Sequence, residues 1–206
     1  MWGEAVMATT AAATQLPIVA VIGSAGTGPG NTITKPQWEL AFAIGASIAE
    51  LGCHLLTGGG PGIMVAASEG FCSISPRRGV SIGVIPAGRS PRNYPNNWVE
   101  VPIFTHLHGE NPRGHESRNH SNIRSARVLI ALAGGRGTRA ELDLAIEHNT
   151  TCNRPVVYAC LQDGDDIEGR RRGQLEAVGV VCFETAREVS DALAAWCDRP
   201  ETSFTR

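Results

Sequence analysis

The chain has 206 residues, 42% hydrophobic and 18% charged, with a formal net charge of −2 and a pI near 6.3. This length and composition suit one packed domain and exclude a disordered chain. The near-balanced charge excludes a general field for nucleic acid or anionic membrane, so any attraction for phosphate must be local.

Residues 1–16 (MWGEAVMATTAAATQL) read as a disordered leader. They lack the basic and apolar regions of a secretory signal, so a cytoplasmic protein is expected. Pro17 to Ile22 is a fully apolar strand ended by glycine. Pro36 to Leu51 is a helix, with Pro36 in its first turn, Gly52 just past its end, and Leu40, Ile44, Ile48 and Leu51 at helical spacing. Cys53 to Thr57 is a second buried strand, running through Gly58-Gly59-Gly60-Pro61-Gly62 into a helix from Ile63 to Phe71. Ser81 to Ile85 is a third strand. Pro86 to Asn97 is irregular and rich in Pro, Asn, Arg and Gly, and the segment from Tyr94 to Glu100 reads equally as a base-recognition lid or as loop filler. A short strand at Val99 to Phe104 and a helix at Glu116 to Ser125 follow. Val128 to Leu132 is another buried strand, leading through Gly134-Gly135-Arg136-Gly137-Thr138 into a helix from Thr138 to His148. Val156 to Leu161 and Val180 to Phe183 are late strands, separated by a charged, exposed loop from Asp163 to Arg172. Ala186 to Cys197 is the closing helix, and residues 200–206 read as a disordered tail.

Apolar strands alternating with helices predict an α/β, Rossmann-like three-layer fold. A mostly parallel central sheet carries helices on both faces, and residues 17–199 form a single nucleotide-binding domain. No apolar run approaches the roughly 18 residues of a membrane span.

In such sheets ligands sit at the carboxyl ends of strands, where the strand order reverses. Three glycine-rich loops take that kind of position. The strongest is Gly134-Gly135-Arg136-Gly137-Thr138. A buried strand ends in glycines and a helix begins at once, so backbone N–H groups and the positive end of the helix dipole face a ligand at close approach. A phosphate is the natural guest, with Thr138 supplying a hydroxyl. A tight turn alone needs one or two glycines, fewer than are present. The loop at Gly58-Gly59-Gly60 repeats the logic. The third, after the first strand, contains Gly23 and Ser24. It has no G-x-G-x-x-G, and the chain has no Walker A motif, which argues against NAD-dependent redox chemistry and P-loop hydrolysis.

The six cysteines are Cys53, Cys72, Cys152, Cys160, Cys182 and Cys197. They form no CxxC pair and read as reduced thiols. His106, His108, His115 and His120 cluster in sequence but read as loop or surface residues, so no metal site is expected. Glu141 falls in the first turn of its predicted helix, where a favourable dipole interaction alone would account for it. Arg118 is placed on the preceding helix.

These motifs resemble a family first described as possible lysine decarboxylases, which includes Lonely Guy (LOG) proteins and molybdenum cofactor carrier proteins. The LOG signature P-G-G-x-G-T-x-x-E is matched by Ala133-Gly134-Gly135-Arg136-Gly137-Thr138-Arg139-Ala140-Glu141, apart from the leading proline. Arg118 lies 15 positions before Ala133, the family's spacing for its arginine. Thr57 to Met64 matches the family's G-G-G-x-x-G-x-M segment apart from Thr57 at the first glycine. The resemblance covers roughly residues 17 to 161.

The resemblance implies a phosphoribohydrolase. Such an enzyme cleaves the N-glycosidic bond of a nucleoside 5′-monophosphate, cytokinin ribotides in the LOG case, and releases base and ribose 5-phosphate. Arg118 and Glu141 would then be the catalytic pair. Gly134, Gly135, Gly137 and Thr138 would hold the phosphate, with Gly23, Ser24, Gly58, Gly59, Gly60 and Asn119 completing the nucleotide-binding set. A carboxylate suits the oxocarbenium character of C–N cleavage and can orient water, without metal or organic cofactor. Family members are usually dimers, so a homo-oligomer is implied. The family's Arg-Lys pair is here Arg118-Asn119, a form closer to the carrier-like branch. The alternative is therefore a non-catalytic nucleotide or molybdenum cofactor carrier, and a third reading is a vestigial cleft. Lysine decarboxylation is unsupported, because it needs pyridoxal phosphate and the sole lysine, Lys35, has no Schiff-base setting.

Overall fold

The computed structural model describes residues 15–26, 32–88, 94–107, 113–114 and 117–199. The predicted tail, most of the predicted leader, part of the 86–97 loop, His108 and His115 lie outside these residues. Seven parallel strands form one sheet: β1 (Ile18–Ile22), β2 (His54–Thr57), β3 (Ser81–Ile85), β4 (Val101–Phe104), β5 (Val128–Ala131), β6 (Val156–Cys160) and β7 (Val181–Phe183). Their order is β4-β3-β2-β1-β5-β6-β7. The chain steps outward from β1 to β4, then returns to lay β5 against the other side of β1. The switch point predicted for a ligand thus falls between β1 and β5.

Side chains alternate across the pleat, and each set meets its own helices. Val19, Val21, Leu55, Val128 and Ile130 face one layer, made of α1 (Lys35–Glu50), α2 (Ile63–Ser73) and α6 (Ala186–Cys197). Ala20, Ile22, Leu56, Leu129 and Ala131 face the other, made of α3 (Asn119–Ser125), α4 (Arg136–Cys152) and α5 (Arg172–Glu176). Both faces of β1 and β5 are therefore dry, which is why those strands are apolar at every position. Each fully buried Leu or Ile here contributes about 1.5–3 kcal/mol of transfer free energy.

The helix boundaries have local causes. Thr34 caps α1 by accepting from the N–H of Gln37 at 3.3 Å, while Gln37 Oε1 accepts the N–H of Thr34 at 2.9 Å. Helices α1 and α2 cross backbone to backbone, because a Cβ on Gly45 would strike the Ala67 carbonyl and one on Gly70 the Phe42 carbonyl. Among the differences from the sequence expectation are the starts of two helices and one helix that was not expected. Helix α4 starts at Arg136, two residues early, since the glycine loop is already helical after Gly135. Helix α3 starts at Asn119, which leaves Arg118 at the N-cap instead of within the helix. Just after the charged segment read as loop, where no element was expected, α5 forms a short helix that buries Leu175, with Gln174 Oε1 accepting from the Arg171 N–H at 3.0 Å. Edge strand β4 is exposed at all four positions, Phe104 most of all at 70%.

Candidate functional site

The carboxyl ends of β1 and β5 are tied together before any ligand is considered. The Ser24 N–H donates to the Ala133 carbonyl at 3.0 Å, and the Ser24 carbonyl accepts from the Ile63 N–H at 2.9 Å. On the other flank, the Gly134 N–H donates to the Asp166 carbonyl at 3.2 Å and its carbonyl accepts from the Glu168 N–H at 2.8 Å. Between these anchors the chain turns into α4 with Gly135 at the N-cap, and no side chain caps that helix end. Thr138, buried in the first turn, packs under Gly134. A Cβ added to Gly134 would collide with the Thr138 hydroxyl and lie 2.7 Å from its Cβ. Gly134 is thus a glycine for the sake of its own loop.

A cleft of about 300 Å³ opens at this point. Its wall brings together Gly23, Ser24, Gly58, Arg118, Asn119, Gly135, Gly137, Thr138 and Glu141. Gly134 lies on a second, more polar groove of about 280 Å³, which shares Ser24 and Gly135 with the cleft and is flanked by Gln37, Asp165, Asp166 and Glu168. Gly59 and Gly60 stand behind the wall. Gly59 has a φ of +69° and is covered by Ile85, while Gly60 is covered by Tyr94.

Arg118 is positioned by packing that periodicity could not reveal. Its guanidinium lies on the Cβ-free face of Gly58, 2.8 Å from where that Cβ would stand to its Cζ. Its Nη1 is buried with no hydrogen-bond partner among the described residues. An unpaired donor of this kind is costly unless an acceptor arrives, and a ligand oxygen is such an acceptor. Glu141 is in the second turn of α4, not the first, so the helix-dipole explanation does not apply to it. The Asn122 side-chain amide donates to Glu141 Oε1 at 3.1 Å. Burial pushes the Glu141 carboxyl above its ordinary value, while the charge of Arg118 and the Asn122 hydrogen bond pull it part of the way back. The cleft therefore holds a fixed positive group and a carboxylate with raised proton affinity, beside the N-terminus of a long helix.

Sequence reasoning did not assign Asn122 or Tyr94 to the site. Asn122 carried a signal, since it follows Arg118 by four residues and so returns to the same helical face. Tyr94 carried a weaker one, as the first residue of the segment read either as a base-recognition lid or as loop filler, and its place depends on a loop folding back over β2. His120 Nε2 lies 3.4 Å from the Arg113 carbonyl, a structural contact. Among the described residues no group of three His, Cys, Asp or Glu side chains is placed to hold a metal ion, and no helix is long and apolar enough to cross a membrane.

Comparison with known proteins extends these observations. Residues 16–165 match the model of the SLOG cluster4 family. A protein of Archaeoglobus fulgidus described only as uncharacterized is 29% identical over 126 residues, 60% of this chain and 75% of that one. The molybdenum cofactor binding protein from the phototrophic bacterium Rippkaea orientalis has 25% identity and a TM-score of 0.67, covering 89% of this chain and 99% of its own. The molybdenum cofactor carrier protein of Chlamydomonas reinhardtii gives 25% identity and a TM-score of 0.68, covering 90% and 100%. DNA processing protein A from Helicobacter pylori, known for its single-stranded DNA binding mode, shares the fold at 16% identity and a TM-score of 0.60 over 87% and 80% of the two chains.

Proposed function

We propose that this chain, which belongs to the SLOG cluster4 family, binds a small molecule with a terminal phosphate in the β1–β5 cleft and acts as its carrier. The ligand class is a nucleotide or a pterin phosphate of the molybdenum cofactor kind. The observation that carries this reading is that Arg118, whose buried Nη1 has no hydrogen-bond partner among the described residues, lines the same cleft as Thr138 and the start of α4. Helix N–H groups and a guanidinium are the donors that a phosphate takes up. Two solved relatives named for binding or carrying molybdenum cofactor match nearly the full length of this chain, which supports binding as the role. Homo-oligomeric assembly belongs to the same proposal and is read by light scattering.

A second reading is N-glycosidic hydrolysis of a nucleoside 5′-monophosphate. What favours it is Glu141, a carboxylate with raised proton affinity sharing the cleft with Arg118. Such a group can take a proton from water and stabilise positive charge on the ribose. One experiment separates the two. The purified protein is incubated with a panel of nucleoside 5′-monophosphates, including isopentenyl-AMP, and free base is measured by chromatography beside thermal shift, with Glu141→Gln in parallel. Stabilisation without base release supports the carrier. Base release that the variant loses establishes the hydrolase. No stabilisation by any phosphate-bearing ligand overturns both.

A further inference from the structure

The cleft has chemically different ends. Across the carboxyl edge of the sheet the order is β3, β2, β1, β5. Gly135, Gly137, Thr138 and Glu141 follow β5, whereas Pro86 follows β3 and Met64 lies just after β2. Neighbouring strands are about 4.8 Å apart, so the polar end is separated from the β2–β3 end by roughly 10–14 Å. That is the separation between a terminal phosphate and the ring system of a mononucleotide.

Tyr94 belongs to the second end. It is the aromatic residue among the described residues that line the cleft. Its ring is seated on Gly60, where an added Cβ would lie 2.5 Å from the phenol oxygen and 2.6 Å from Cζ. The backbone that carries it is clamped two residues later. The Asn96 N–H donates to the Gly59 carbonyl at 2.8 Å, its side-chain amide donates to the Gly60 carbonyl at 3.0 Å, and its Oδ1 accepts from the Trp98 N–H at 3.0 Å. The Gly58–Gly60 loop is thus one pedestal for two side chains, Arg118 on Gly58 and Tyr94 on Gly60. Both reach the same cleft.

On the reading of this cleft as a phosphate-ligand site, we propose that Tyr94 is the specificity residue, stacking against the planar heterocycle of a ligand whose phosphate lies at the start of α4. An aromatic face held by its backbone suits a flat ring of any hydrogen-bonding pattern and offers nothing to a bare sugar phosphate.

The test measures dissociation constants by calorimetry for AMP, GMP, CMP, UMP and ribose 5-phosphate, with wild type, Tyr94→Leu and Tyr94→Phe. Leucine keeps apolar bulk on Gly60, and phenylalanine keeps the ring. Tyr94→Leu is expected to weaken nucleotide binding by about 5- to 150-fold while ribose 5-phosphate stays within about twofold, with Tyr94→Phe close to wild type. Equal loss for nucleotides and sugar phosphate, or no loss for either, overturns the role of Tyr94 and leaves the phosphate reading standing. So does a wild type that binds ribose 5-phosphate as tightly as the nucleotides. A wild type that binds none of the five overturns the nucleotide reading and the role of Tyr94 with it.

Discussion

The Arg118 guanidinium rests on Gly58, two terminal nitrogens and Cζ occupying the space a side chain at position 58 would need. The two residues are 60 positions apart, Gly58 just after β2 and Arg118 at the N-cap of α3. Replacing Gly58 by alanine should therefore act as an indirect Arg118 mutation. Arg118→Ala is expected to weaken phosphate-ligand binding by about 10- to 100-fold, the range for a lost charge-assisted hydrogen bond. Gly58→Ala should reproduce most of that loss. Isothermal titration of both variants checks it, and full affinity in Gly58→Ala would separate the contact from the function.

Glu141 gives a pH signature. Its folded-state pKa is raised, so its charged form costs stability above that pKa, and stability recovers as pH falls through it toward the ordinary 4.5. Glutamine keeps an acceptor for the Asn122 amide and removes the charge. Glu141→Gln should melt about 1–4 °C above wild type at about pH 8, with the gap closing at acid pH. Thermal melts across the pH range decide it, and parallel curves at every pH would refute the buried-charge account.

Two glycines of one loop should respond in opposite ways. Nothing lies within 4 Å of a Cβ built on Gly137, in the first turn of α4. Gly137→Ala should raise stability by about 0.5–1 kcal/mol through helix propensity. A loss of ligand affinity in that stable variant would mark the ligand's own closest approach. Gly134→Ala should lower stability by about 1–3 kcal/mol, because the new methyl displaces Thr138. Denaturant titration reads both changes.

The cysteines should divide by accessibility and proton affinity. Burial pushes the Cys160 thiol up to about 12, and burial with the neighbouring Cys197 does the same to Cys53. Cys152 and Cys197 are exposed. Brief alkylation at about pH 8 followed by peptide mass spectrometry should label Cys152 and Cys197 while leaving Cys53 and Cys160 unmodified. Early labelling of Cys160 would contradict its placement in the core.

Much of the fold was legible because it rests on local pattern. Short unbroken apolar runs such as Val128 to Ala131, ended by glycines, read as strands covered on both faces, and Pro36 with Gly52 brackets the first helix to within about one residue. The glycine loop leading into α4 was legible for the same reason, being contiguous. The pedestal under Arg118 and Tyr94 was not. Glycines at positions 58 and 60 look like phosphate-binding glycines in sequence, yet the space they leave is taken by side chains from distant segments. Sequence shows that a side chain is missing there and not what fills the gap. Helix α5 escaped notice because five residues are too few for periodicity, and its Leu175 is a single buried anchor among charges.

The hydrogen bonds that hold Ser24 to Ala133 on one side, and Gly134 to Asp166 and Glu168 on the other, fix the turn into α4 from both flanks. A loop held this way has surrendered its conformational entropy during folding, so a ligand arriving at it has little left to order. Recognition at the α4 end should then be close to rigid-body docking. The liganded backbone from Ala133 to Thr138 should superimpose on the free one, and affinity there should depend on the enthalpy of the donors and hardly at all on induced fit.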